Sequence, residues 1–187
     1  MILEKEINFI QDERLRNAIR KCVDDRAEIL KWLPASVSGK YHPPDERGPG
    51  GFIRHIKKCV WYVRGAQLHL ALSEEETDKL LVAAILHDIS NCDISRVGEE
   101  GQIERDLKKY EASHPKLSAQ ITAKYLIAEG FDWLDPTLME ILDIIESHMA
   151  HWYPDCGQPL TKLEIILTMA DYFTTRTAVQ IDWEGEI

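Results

Sequence analysis

The sequence predicts an all-α fold in a single domain, and three observations carry that prediction. Apolar residues recur at helical spacing, with charges between them, over most of the chain. Helix starts are marked by capping signals: Ser73 with Glu76, Thr161 with Glu164, and Asp135 followed by Pro136. No convincing pair of alternating strands occurs.

Taken in order, Ile10, Leu15, Ile19, Val23, Ile29 and Leu30 predict one bent helix or two from about Glu6 to Leu33. This N-terminal helical segment (1–33) stops at Pro34. Residues 34–50 hold Pro34, Pro43, Pro44 and Pro49 with Gly39, Gly48 and Gly50, which predicts a long loop. Long ordered loops in compact domains are often functional. A helical core then spans 51–177. Its first helix runs from about Phe52 to Leu72, and the Ser73 capping box opens a second that reaches about Ile89. Residues 90–104 read as loop. Pro115 suits the first turn of a helix closed by Gly130. Asp135 and Pro136 begin a helix to about Ala150, Pro154 to Pro159 is loop, and Thr161 caps a last helix through about Thr177. The tail 178–187 is short and reads as a strand or as disorder.

Composition narrows the function. The 187 residues, 44% hydrophobic and 29% charged, fit one globular domain. A net charge of −10 is a poor match for gripping long nucleic acid by its phosphates. Lys40, Arg47, Arg54, Lys57, Lys58 and Arg64 lie close together in the chain. Most of them read as a solvated helix face, with a local basic pocket left open. The longest apolar run, Leu80 to Leu86, is far too short to span a bilayer. The charged N-terminus lacks a signal-peptide pattern, so a cytoplasmic location and no membrane partner are expected. Cys22, Cys59, Cys92 and Cys156 form no Cys-x-x-Cys pair and read as reduced, mostly buried thiols. The charge-rich first segment could serve as a homo-oligomer face, although packing on the chain's own core is the simpler reading.

The chemistry lies in histidines and in acids set among apolar residues. His87 and Asp88 end the stretch Leu80 to Leu86, and Asp171 interrupts Ile165 to Phe173. A carboxylate there is costly to desolvate unless it is paired or metal-bound. Imidazole nitrogen with carboxylate oxygen suits Fe, Mn, Zn, Ni or Co. A lone histidine on an apolar helix is more often structural than a ligand, so the argument rests on the combination.

The pieces Gly50-Gly51-Phe-Ile-Arg-His55, Leu86-His87-Asp88-Ile89 and Met169-Ala170-Asp171-Tyr172 resemble the HD superfamily of metal-dependent phosphohydrolases, over roughly residues 40–177. That resemblance implies an HD-type helical bundle with His55, His87, Asp88 and Asp171 as ligands of one metal ion. His114 and His148, in order between Asp88 and Asp171, resemble the two-metal branch. Asp88 would there bridge the ions, with His114 and His148 binding the second. The implied reaction is metal-activated attack of water on phosphorus in a nucleotide, a cyclic nucleotide or a short oligonucleotide, with a small phosphate ester as the partner. His151 and Lys40 are the candidate catalytic groups for the leaving-group proton. Lys40, His42, Arg54 and Arg176 are the candidate phosphate contacts. Two-metal members often continue Ile-Gly-Lys after His-Asp; here Ile89-Ser90-Asn91 follows, so the general acid is left open. The same six ligands also resemble the di-iron oxygenases typified by myo-inositol oxygenase. A non-catalytic sensing or scaffold domain is the third reading.

Overall fold

The computed structural model describes residues 2–36, 42–98, 102–149 and 158–176, apart from the side chains of 107–113. Among the described residues the helices are α1 (Glu4–Ile7), α2 (Glu13–Asp24), α3 (Ala27–Leu30), α4 (Gly51–Leu70), α5 (Glu74–Leu86), α6 (Ser90–Asp93), α7 (Leu107–Ala128), α8 (Pro136–Ser147) and α9 (Lys162–Thr175). One short antiparallel hairpin joins β1 (Ser95–Val97) to β2 (Ile103–Arg105), with Arg96 opposite Glu104. The fold is all-α in class, and no described helix is long and apolar enough to cross a membrane.

Helix α5 is the centre of the packing. Every residue from Thr77 to Leu86 is buried, and α1, α2, α4, α7, α8 and α9 all touch it. Its second half, Leu80 to Leu86, is apolar all round because it has no solvent face. Its start is fixed locally: Ser73 Oγ accepts from the Glu76 amide, and the Glu76 carboxylate accepts from the Ser73 amide. Asp135 and Thr161 cap α8 and α9 by accepting from the Thr137 and Glu164 amides. The apolar face of α2 (Leu15, Ala18, Ile19, Cys22, Val23) packs on the chain's own core.

Several boundaries differ from the sequence reading. The first segment is three short helices, not one or two. Asp12 caps α2 through the amides of Arg14 and Leu15, while Asp78 of α5 accepts from the Gln11 and Asp12 amides. A carboxylate far away in sequence therefore sets the break. The stretch 90–104 is not plain loop: it holds α6 and the hairpin. Strands of three residues carry too little alternation to be read from sequence. Pro115 lies inside α7 rather than in its first turn. A proline removes a single intrahelical hydrogen bond, and here helix stands on both sides of it. Gly130 closes α7 as expected, with φ of 92°.

The described parts of the loop 34–50, residues 34–36 and 42–50, close onto α4. The loop carries a 3-10 turn at Pro44–Glu46, and the Glu46 carbonyl accepts from the Ala35 amide at 2.9 Å. Gly51 opens α4 so close to this turn that a Cβ atom would stand 2.0 Å from the Glu46 carbonyl oxygen. The glycine thus lets the loop lie against the helix that carries His55.

Candidate metal centre

Five elements deliver the six candidate ligands. His55 comes from α4, one turn after its Gly-Gly start. His87 is the C-terminal cap of α5, with Asp88 next to it, and His148 is the C-terminal cap of α8. His114 comes from α7 and Asp171 from α9. His55, His87, His114 and His148 are each at most 1% exposed and Asp171 is 7% exposed. The structure brings all six together.

They form two adjoining groups. In the first, His55 Nε2 lies 3.2 Å from His87 Nε2 and 3.3 Å from Asp171 Oδ1, and His87 Nε2 lies 3.9 Å from Asp171 Oδ1. In the second, Asp88 Oδ1 lies 3.4 Å from His114 Nε2 and 3.6 Å from His148 Nε2. The other Asp88 oxygen, Oδ2, faces the first group, 3.9 Å from His87 Nε2. Donors about 2.0–2.2 Å from one ion stand roughly 3–3.6 Å apart. Most of these separations are therefore those of ligands around a cation. Asp88 Oδ1 and His148 Nε2 are buried without a hydrogen-bond partner, which an ion between them would remedy.

The imidazole orientations fit the same reading. His87 Nδ1 lies 3.0 Å from the Ala84 carbonyl and His148 Nδ1 lies 2.6 Å from the Ile145 carbonyl. A carbonyl can only accept, so both rings carry the proton on Nδ1 and can present a lone pair on Nε2 to the cluster. Ser90 donates from its hydroxyl to the His114 carbonyl and accepts from the Ser118 hydroxyl, tying the segment after Asp88 to α7.

Electrostatics point the same way. Burial opposes ionisation of Asp88, but the neighbouring His148, His87 and His114 hold it well below its ordinary range. Burial likewise opposes the Asp171 carboxylate, yet His55 and His87 bring it down to about 2. Burial, with the neighbouring histidines, lowers His87 to about 4, so that ring stays neutral. His55 goes the other way: burial is outweighed by the Cys59 thiol and by Asp171, and its pKa is raised.

Sequence reasoning missed three residues here. Cys59, one turn along α4, has Sγ 3.7 Å from His55 Nε2 and 3.4 Å from Thr174 Oγ1. Its Sγ stands with the first group's ligand atoms, all within 4.8 Å of one another. Glu46 is fully buried beside His55, and Lys58, read as part of a solvated face, pairs with it. The i, i+4 spacing of His55 and Cys59 was the available signal for the first; a lone loop glutamate offered none.

The remaining candidates divide. His42 is drawn in, its ring edge-to-face with His55 at 5.3 Å. Arg54 turns to the loop and donates to the Asp45 and Pro49 carbonyls. Arg176, at the end of α9, lays its guanidinium over the Tyr172 ring at 4.2 Å. Lys40 and His151 lie outside the described residues. Asn91, two residues after Ile89, is fully buried. Cys22, Cys59 and Cys92 are free, buried thiols, as expected; Cys156 lies outside the described residues.

This cluster, on an all-α scaffold with His-Asp at the end of its central helix, is one that could hold metal. The family model described as HD domain matches residues 52–176, a span that includes all six candidate ligands, and the chain belongs to that family. No curated protein and no solved structure matches the chain.

Proposed function

We propose that this protein is a metal-dependent phosphohydrolase or phosphodiesterase acting on a nucleotide, a cyclic nucleotide or a short oligonucleotide. His55, His87, Asp88 and Asp171 would hold one divalent transition metal ion, and Asp88, His114 and His148 a second, from among Fe, Mn, Ni, Co and Zn. The observation that carries the reading is the division of the Asp88 carboxylate, one oxygen toward each group of histidines. Ions held there supply Lewis acidity and lower the pKa of water.

The chain's own residues do the rest. Asp88 and Asp171 fix negative charge opposite the donors, and the Ala84 and Ile145 carbonyls hold two rings in the ligating tautomer. His42, half-buried beside His55, is the described candidate for protonating the leaving oxygen; His151 and Lys40 are the others proposed. The acidic balance of the chain favours a small phosphate ester over long nucleic acid.

The test is elemental analysis of the purified protein, followed by a screen of phosphomonoesters and phosphodiesters with and without oxygen. Metal-dependent release of phosphate or of a monoester under anaerobic conditions supports hydrolysis. Two irons with substrate-dependent oxygen uptake would replace it with the di-iron oxygenase reading. Bound metal with no turnover in either screen would favour a sensing or scaffold role.

A further inference from the structure

Two of the described histidines have the nitrogen away from the cluster pinned by a backbone carbonyl. His55 has no such carbonyl. Its Nδ1 is buried with no hydrogen-bond partner, and Glu46 Oε2 lies 3.8 Å away. We propose that Glu46 is the positioning residue of the first metal group: the buried carboxylate nearest His55 Nδ1, which would accept from its N–H once Nε2 binds the ion and so hold the Nε2 lone pair on it. The inference rests on the metal-centre reading above.

Glu46 is built for a fixed task. Its side chain is completely buried, although it sits in a loop. Lys58 Nζ, one turn beyond Arg54 on α4, stands 2.6 Å from Oε1 and supplies the compensating charge. His42 Nδ1 contacts Oε2 at 2.8 Å. The backbone is held as tightly, by the Ala35 amide on the Glu46 carbonyl and by the side-chain-free Gly51 beneath it. A buried carboxylate without function is expensive to keep. A carboxylate behind a metal-bound imidazole raises ligand basicity and fixes ring orientation. The described end of the loop, 42–50, is thereby tied to the first group through Glu46 and His42.

The experiment measures Zn(II) affinity by chelator competition. The His148→Ala background leaves the first group as the principal site. Glu46→Gln, which keeps the shape and removes the charge, should weaken Zn(II) there by on the order of 10–100-fold. In a His55→Ala background the same change should alter Zn(II) affinity at the second group less than about twofold, because the coupled partner is gone. A role confined to folding would weaken both backgrounds alike, and that result overturns the proposal. Should Glu46→Gln unfold by stranding Lys58, the neutral pair Glu46→Gln with Lys58→Met replaces it, with the same expected contrast. Unchanged affinity in the His148→Ala background defeats the Glu46 role alone. A wild-type chain that takes up no Zn(II) defeats both this role and the metal-centre reading.

Discussion

His148 Nε2 stands 3.6 Å from Asp88 Oδ1, beyond hydrogen-bond reach, and both atoms are buried without a hydrogen-bond partner. Two polar atoms left facing each other across that gap are what a bridging ion would join. His148→Ala should therefore lower the metal content from two ions per chain toward one, read by inductively coupled plasma mass spectrometry. If the wild type binds one ion and the variant still binds one, His114 and His148 have another role.

The His-Asp pair serves both groups at once. His87→Ala and Asp88→Ala should each strip most of the bound metal and all metal-dependent hydrolysis. Circular dichroism should report a largely preserved helical spectrum. Full metal content in both variants would sink the site assignment.

Asp171 gives a pH signature in the metal-free protein. Its carboxyl titrates near 2 when folded against an ordinary 3.8. A depressed acid stabilises above its unfolded pKa and loses that contribution as pH falls through the folded value. The difference corresponds to about 2 kcal/mol. In urea unfolding with a chelator present, Asp171→Asn should be less stable than wild type by roughly this amount near pH 6. The two curves should converge as the pH approaches 2.

Two glycines of α4 should respond with opposite sign. At Gly51 a Cβ would collide with the Glu46 carbonyl at 2.0 Å, whereas at Gly65 nothing lies within 4 Å. Gly51→Ala should destabilise by about 1–3 kcal/mol, the range for forced overpacking. Gly65→Ala, in mid-helix, should stabilise by about 0.5–1 kcal/mol. Denaturant midpoints of the two variants check the pair, and a stabilising Gly51→Ala would show that the loop does not rest on α4.

Much of this was legible because the signals are local. The Ser73–Glu76 box, the Thr161 and Asp135 caps, and the acids set into apolar helices act within a few residues of themselves. What escaped the sequence depends on distant partners. The break before α2 is held by Asp78, the turn at Ser90 is held by Ser118 and His114, and Glu46 has meaning only once Lys58, His42 and His55 surround it. The candidate ligands on the helical core could be named in advance. Their positioning partner on the loop could not, since an isolated glutamate among prolines looks like a solvated charge.

His87 and His148 cap the C-terminal ends of α5 and α8. Both helices thus direct the negative pole of their macrodipole at one spot, where Asp88 and Asp171 add two formal charges. The resulting field draws cations in and pushes phosphate out. On the proposed reading, an anionic substrate would meet repulsion there until metal ions reverse the local potential, so metal would bind first and the phosphate ester second.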